Sequence, residues 1–171
     1  MTDELFRLDG RVATVIGAGS GIGEAVAIGC ARQSAHVVCL DVNDGAARAV
    51  AARITQGGGA AEAARLDIRD AAAVAAAFDG IKKRRGGFDS VICTPSINVR
   101  KPLVAHTEEE FDRVVGLNLK GTFNVLGAAG RVMTEQRGGS ISDAASDVTG
   151  TLLLADGGWT AVDGRFQPPG M

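Results

Sequence analysis

Residues 11–23 read RVATVIGAGSGIG, and this stretch decides the fold. An apolar run occupies residues 12–16, and an unbroken apolar run is typical of a parallel strand buried on both faces. Four glycines follow at alternate positions, namely Gly17, Gly19, Gly21 and Gly23. Glycine permits a sharp turn close to a ligand, and residues 22–33 can form a helix whose first N–H groups attract an anion. The order strand, glycine turn and helix predicts a site for a dinucleotide pyrophosphate.

The spacing of the glycines narrows this prediction. The common pattern G-x-G-x-x-G does not fit, because its last glycine would fall on Ile22. The pattern G-x-x-x-G-x-G fits Gly17, Gly21 and Gly23, and here the chain resembles the short-chain dehydrogenases/reductases. The resemblance implies that Ser20 and Ile22 also lie at the coenzyme site. The alternative is a tight turn that binds no ligand.

The composition of the 171 residues predicts a single domain, residues 1–171, with a sizeable core, since 46% are hydrophobic. The formal net charge of -2 indicates no broad attraction to nucleic acid. We expect no membrane partner, because no apolar stretch could span a bilayer, and the acidic first residues are unlike a signal peptide. Cys30, Cys39 and Cys93 form no CxxC pair, which is typical of reduced thiols in a cytoplasmic protein. No metal site is predicted.

A second apolar run, residues 36–41, ends on Asp41. In a dinucleotide fold a carboxylate at this point accepts hydrogen bonds from the adenosine ribose hydroxyls. The same carboxylate would repel a 2′-phosphate, so Asp41 favours NAD over NADP. The alternative is that Asp41 only caps the next helix, although Asn43 or Asp44 can do this equally well.

Two further strand ends carry candidate contacts. Asp67 and Ile68 follow a weak strand at residues 60–66, and the resemblance implies that the Asp67 side chain contacts the adenine amino group. Residues 88–93 form the next predicted strand. The family usually shows N-N-A-G at its end, where this chain has the four residues Cys93, Thr94, Pro95 and Ser96. Thr94 and Ser96 can still donate hydrogen bonds beside the coenzyme, whereas proline has no N–H.

Thr107 and Glu110 form a capping box, T-x-x-E, which predicts a helix running to about Met133. Within it Asn118 belongs to the sequence N-L-K-G-T-F, which resembles the central-helix motif of the family. The resemblance implies that Asn118 supports the water and proton path of the active site. An asparagine inside a helix that only packs or faces solvent is the alternative.

The resemblance covers two pieces, residues 1–141 and 142–171, which meet between Ile141 and Ser142. Residues 138–141 look like the start of a fifth strand, whereas residues 142–158 resemble the end of the family sequence, with a last strand at residues 151–155. The family segment that carries the catalytic serine, tyrosine and lysine is missing between them. Either the last strand is placed irregularly, because nine residues are too few for a parallel crossover, or a segment has been lost.

The chain has no tyrosine, so the tyrosine–lysine pair that transfers the proton in this family is not present. Ser140 and Ser142 are not assigned as catalytic either. The predicted fold is α/β, a Rossmann-type doubly wound parallel sheet that is truncated in its C-terminal half. The family function would be NAD-dependent hydride transfer to or from a secondary alcohol or ketone, by a possible homo-oligomer. The 171 residues as written are predicted to be inactive.

Two other functions remain open from the sequence. A non-catalytic dinucleotide-binding or interaction protein would keep the glycine turn and lack the chemistry. A methyltransferase also combines a glycine turn with an acid after its second strand, but the glycine spacing, Asn118 and the DGGW sequence near the end argue against it.

Overall fold

The computed structural model of the chain describes residues 6–143 together with a short strand at residues 152–153. Six strands are present in this part of the chain: β1 (Val12–Ile16), β2 (His36–Asp41), β3 (Ala60–Arg65), β4 (Ser90–Cys93), β5 (Ser140–Asp143) and β6 (Leu152–Leu153). The α-helices are α1 (Gly21–Arg32), α2 (Asp44–Gln56), α3 (Ala71–Arg85), α4 (Glu108–Val115) and α5 (Thr122–Gln136). None of the described helices is long and apolar enough to cross a membrane.

The strands form one sheet in the order β3-β2-β1-β4-β5-β6, and the first five of them are parallel. The chain leaves β1 towards β2 and β3 and then returns to add β4 on the other side of β1. The carboxyl ends of the inner strands are level, since Ile16 pairs with Leu40 and with Cys93. The order of the strands therefore reverses between β1 and β4, where open α/β sheets bind their ligands. The predicted doubly wound Rossmann-type sheet is confirmed.

Two layers of helices cover the sheet because its inner strands are apolar on both faces. Helices α1 and α2 pack on one face, where Val15, Val37 and Ile54 share a cluster. Helices α3 and α5 pack on the other, where Leu40, Phe78 and other residues form a second cluster. The rings of Phe78 and Phe88 lie 5.1 Å apart, a favourable distance for an aromatic pair.

Local sequence signals begin and end the helices. The Asn43 side chain accepts a hydrogen bond from the Ala46 N–H and caps α2. The predicted capping box of Thr107 and Glu110 is formed at the start of α4. Gly86 ends α3 in the left-handed conformation, with φ of +81°.

The central helix is not continuous, which the sequence analysis did not predict. A six-residue π-helical segment, Gly116–Gly121, separates α4 from α5. Such a segment accommodates wider hydrogen-bonded turns within a helix and often lies at a functional site. It contains Asn118, whose side chain is bonded to another part of the chain.

The end of the sheet continues past the predicted junction, and part of the predicted C-terminal end lies outside the described residues. Strand β5 runs through the predicted junction, because both Ile141 and Ser142 pair with β4. The last strand, expected at residues 151–155, is described only as Leu152–Leu153, and it is antiparallel to β5. The connection spans residues 144–151, too few for a parallel crossover, so an antiparallel return is the geometry it permits. The DGGW sequence lies outside the described residues.

Candidate functional site

A cavity of about 500 Å³ lies at the carboxyl ends of β1, β2 and β4, at the point where the strand order reverses. It brings together ten of the twelve site residues predicted from the sequence, which are Gly17, Ser20, Gly21, Ile22, Gly23, Asp41, Asp67, Ile68, Thr94 and Ser96. The two that do not line it are Cys93 and Asn118. Residues distant in sequence thus converge on one concave surface, as in a ligand site.

The three fingerprint glycines are required for different reasons. A Cβ atom at Gly17 would overlap the Thr94 hydroxyl, and one at Gly23 would overlap the Gly17 carbonyl oxygen. Both are therefore fixed by close packing of the turn itself. Gly21 has a φ of +57° and no atom within 4 Å of its Cβ position. The turn is thus open at Gly21, on the side that lines the cavity, and a Cβ there would occupy space that a ligand could use.

Gly19 connects the glycine turn to Asp41, and the fingerprint did not reveal this role. The Gly19 N–H donates to Asp41 Oδ2 at 2.9 Å, and the Asn43 N–H donates to Oδ1 at 2.8 Å. A Cβ at Gly19 would lie 2.8 Å from both Asp41 Oδ2 and Ala46 Cβ, so only glycine fits. The run of alternate glycines was the signal that could have identified it. Asp41 does not cap α2, because Asn43 does, and the carboxylate instead holds the turn against the end of β2.

Thr94 and Cys93 differ from the sequence-based expectation. The Thr94 hydroxyl donates to the Ile16 carbonyl at 2.8 Å, so it joins β4 to β1 while Thr94 lines the cavity. The Cys93 side chain is fully buried in the core beneath α5. Burial, followed by the nearby Asp143 carboxylate, raises the pKa of its thiol to about 12. A side chain at the end of β4 that faces α5 does not reach the cavity, so Cys93 can contribute to the predicted site through its backbone alone.

Asp67 and Ile68 form the far wall of the cavity. The Asp67 carboxylate accepts hydrogen bonds from the Arg69 backbone and guanidinium, which lower its pKa to about 2. The Ile68 carbonyl accepts from the Asn124 side chain at 2.9 Å, and its own side chain packs against Gly121. The π-helical segment and α5 therefore hold this wall in place.

Asn118 lies behind the cavity and holds its edge. Its side-chain amide accepts from the Ile97 N–H at 3.0 Å and donates to the Ile97 carbonyl at 2.9 Å. Ile97 lines the cavity together with Pro95 and Ser96. Asn118 therefore fixes the segment that follows β4, a role in keeping with neither a solvent-facing nor a purely packing asparagine.

The remaining lining residues were not found from the sequence because the fold alone brings them to the cavity. Among them is Val42, which together with the predicted Ile22 places an exposed apolar side chain on the cavity lining. Arg69 and Arg113 also line it, and their two positive charges balance the two negative charges of Asp41 and Asp67. Within residues 6–143 and 152–153, no three His, Cys, Asp or Glu side chains are grouped to hold a metal ion. The cavity thus offers carboxylate acceptors, an open glycine turn and apolar walls, which suit an elongated polar ligand with ring systems.

Known proteins are similar to this chain in sequence. The model of the short chain dehydrogenase family matches residues 11–153. The D-threitol dehydrogenase of Mycolicibacterium smegmatis is 36% identical over 148 residues, which cover 86% of this chain and 57% of that enzyme. The chain thus spans little more than half the length of this relative.

Solved structures agree in fold. A short-chain type dehydrogenase/reductase from Mycobacterium marinum superposes with a TM-score of 0.79 and 33% identity, covering 82% of this chain and 56% of that one. A gluconate 5-dehydrogenase from Burkholderia cenocepacia, crystallised with NADP and tartrate, gives a TM-score of 0.78 and 34% identity, covering 91% of this chain and 61% of that one. With a family match over most of its length, the chain belongs to the short-chain dehydrogenase/reductase family.

Proposed function

We propose that the cavity binds NAD(H), and that the chain derives from an oxidoreductase that transfers a hydride between the nicotinamide and a secondary alcohol or ketone. The observation that carries the proposal is Asp41, whose carboxylate lies at the end of β2 and is held by the Gly19 N–H. A carboxylate at this position suits two ribose hydroxyls and repels a 2′-phosphate. NADP in the gluconate 5-dehydrogenase structure supports a nicotinamide dinucleotide, and Asp41 supports NAD rather than NADP here.

The residues present fit such a coenzyme. The open side of the turn at Gly21 leaves room for a pyrophosphate close to the start of α1. Each carboxylate oxygen of Asp41 is engaged by one N–H and retains a second lone pair for a hydroxyl. Exposed Val42 and Ile22 provide apolar contacts for the two ring systems.

The roles of the side chains follow from these positions. Ser20 and the glycine turn would bind the phosphates, Asp41 the ribose, and Asp67 with Ile68 the adenine. Thr94, Ser96 and Asn118 would hold the wall beside the nicotinamide, with Cys93 contributing its backbone. The bound dinucleotide would supply the carbon that accepts or donates the hydride.

Proton transfer is the step for which the chain lacks a residue. The 171 residues contain no tyrosine, so they lack the acid–base pair with lysine that the family uses. We therefore propose that this form binds NAD(H) without turning over substrate, because a segment between Ile141 and Ser142 is missing from it. This observation also supports the second candidate, a non-catalytic dinucleotide-binding protein derived from an oxidoreductase. The names of the relatives support a small hydroxylated substrate for the parent enzyme.

We also propose that the protein forms a homo-oligomer and that it is located in the cytoplasm. The side chains of Phe111, Leu119 and Phe123 are between 62% and 70% exposed along α4, the π-helical segment and α5. Such exposed apolar residues on neighbouring helical turns favour contact with another subunit. The three cysteines are free thiols, as expected in a reducing compartment.

Titration of the purified chain tests the proposal, after its intact mass has been measured. NADH, NADPH and S-adenosylmethionine are added in separate experiments, with binding followed by calorimetry. We expect saturable binding of NADH, weaker binding of NADPH and none of S-adenosylmethionine. Equal affinities for NADH and NADPH would contradict the role of Asp41. Binding of S-adenosylmethionine alone would replace the proposal with a methyltransferase.

A further inference from the structure

Arg113 contributes an exposed guanidinium to the cavity lining from α4. Among the residues that the structure describes, Arg113 forms no hydrogen bond and no ion pair. The other arginine of the lining, Arg69, is bound through its guanidinium to the Asp67 carboxylate. Glu109 precedes Arg113 by four residues, a spacing that often gives an ion pair on a helix, yet these two side chains are not paired. The guanidinium of Arg113 is therefore available to a ligand.

Three residues at intervals of four place Arg113 over one wall of the cavity. Gly121 packs closely on Ile68, since a Cβ atom on this glycine would lie 2.7 Å from Ile68 Cγ1. Leu117 packs against the core cluster that contains Leu66 and Ile68, and it lines the cavity as Arg113 does. Residues four apart share a helix face, so the line from Gly121 through Leu117 leads to Arg113. Arg113 thus lies over the wall at the end of β3.

The order of the strands determines which part of a dinucleotide this wall would meet. The glycine turn, where the phosphates are proposed to bind, follows β1, and β3 lies two strands away. Neighbouring strands are about 4.8 Å apart, so the wall is about 10 Å from the turn. Exposed charges at that distance are largely screened at about 0.1 M salt. A phosphate is therefore a weak partner for Arg113, whereas the base proposed to bind at the end of β3 would lie beside it.

We propose that Arg113 is a coenzyme-binding residue whose guanidinium plane stacks on the adenine base of the dinucleotide. The inference rests on the proposed function, since it requires the dinucleotide to occupy this cavity with its base at the end of β3. A planar guanidinium stacks on an aromatic face, and its charge is attracted to the π-electrons. Arg69 is less suited to this role, because its Nε and Nη2 are held by Asp67.

Substitutions of Arg113 separate stacking from charge, with NADH as the probe and calorimetry as the measurement. Arg113→Met retains an unbranched side chain but removes both the plane and the charge. It should weaken NADH binding about fivefold, the equivalent of about 1 kcal/mol. Arg113→Phe restores a flat face without a charge, so its affinity should lie within about twofold of the unchanged chain. Arg113→Lys keeps the charge without the plane and should fall between these two variants.

Lys120→Met provides a matched control for the loss of charge. Lys120 is exposed on the π-helical segment and is not among the cavity-lining residues. The substitution removes one positive charge from the same stretch of helix, so the affinity for NADH should not change. Circular dichroism should show that all four variants retain their helices, because both side chains are exposed.

The ranking of the variants decides the inference. If Arg113→Lys binds like the unchanged chain while Arg113→Phe is as weak as Arg113→Met, the charge acts on a phosphate and the inference is wrong. Equal affinities of the unchanged chain and all Arg113 variants would also reject it, while the coenzyme site would stand. If the unchanged chain does not bind NADH, the proposed function is wrong and the inference falls with it.

Discussion

The two halves of the sheet differ in how their faces are covered. In the coenzyme half, formed by β1 to β3 with α1 and α2, Val15, Val37 and Val38 are at most 1% exposed although they point to opposite faces. In the second half, formed by β4 and β5 with α5, only alternate residues are buried. Val91, Cys93 and Ile141 lie beneath α5, whereas four residues of the opposite face are partly exposed, namely Ser90, Ile92, Ser140 and Ser142.

This difference bears on how each half supports the cavity. The coenzyme half is packed on both faces, and residues 94–97, Arg113 and Leu117 add to the lining of its cavity. The second half has one packed face within residues 6–143, on the side of α5. On its other face, three of the four described side chains are serines. The described part of that face is therefore too polar to favour association through apolar contact.

The largest expected effect is at Gly21, in the coenzyme half. Gly21→Val places a β-branched side chain at a φ of +57° and fills the open side of the turn. We predict that NADH binding falls by at least about a hundredfold, the cost of about 3 kcal/mol of strain and lost contact. Gly29→Ala in α1, which has open space at its Cβ position, is the control and should bind normally. Calorimetry gives the affinities, and circular dichroism should show that both variants retain their helices. Unchanged affinity in Gly21→Val would mean that the turn binds no phosphate.

Replacement of Asn118 tests whether the π-helical segment holds the residues that follow β4. Asn118→Ala leaves the Ile97 N–H and carbonyl without their side-chain partner, and the loss of two hydrogen bonds should lower the free energy of unfolding by about 2 kcal/mol. Asn124→Ala, which removes the single bond to Ile68, should cost less. Urea unfolding measures both changes. Equal stability of the two variants would show that Asn118 does not hold the segment after β4.

Asp41 sharpens the assignment of the coenzyme. Asp41→Ala removes the acceptor for the ribose and the repulsion of a 2′-phosphate, so the preference for NADH over NADPH should narrow by about tenfold. The same change leaves the Gly19 N–H without its partner, so affinity for both dinucleotides should also fall. Paired titrations with NADH and NADPH separate the two effects. A preference that survives in the variant would exclude Asp41 as its source.

The smallest effect is a dependence of stability on acid pH. The Arg69 hydrogen bonds lower the pKa of Asp67 from 3.8 to about 2 in the folded chain. The unfolded state therefore binds more protons between these values, so stability is fully present above about pH 4 and is lost as the pH falls towards 2. Melting temperatures at several pH values should show a shallower decline in Asp67→Asn than in the unchanged chain. Parallel curves for the two proteins would mean that the pair contributes nothing to folding.

The sequence predicted the parts of the site that depend on local patterns. The apolar run before Gly17, the acid after β2 and the capping box of Thr107 each have their signal within a few residues. The connection between Gly19 and Asp41 was missed, because it joins residues that only the parallel pairing of β1 and β2 brings together. Arg69 and Arg113 were missed for the same reason, since an exposed arginine has no periodic signature.

The central helix and the end of the sheet were harder to predict for physical reasons. The residues of the π-helical segment Gly116–Gly121 have ordinary helical periodicity, and the interruption coincides with contacts of Asn118 to Ile97 and of Gly121 to Ile68. Both contacts join the segment to residues that are more than 20 positions away in the sequence. The antiparallel return of β6 agrees with the alternative that the last strand is placed irregularly, because the connection from Asp143 is too short for a parallel crossover.

Amide hydrogen exchange with and without NADH tests the separation of the two halves most directly. The account predicts that NADH slows exchange at the glycine turn, residues 17–23, at Asp41 and Val42, and at residues 66–69 and 94–97. Exchange in β5, Ser140–Asp143, should not change, because this strand lies outside the cavity wall. Protection of β5 to the same extent as the glycine turn, or no protection of the turn at saturating NADH, would contradict the account.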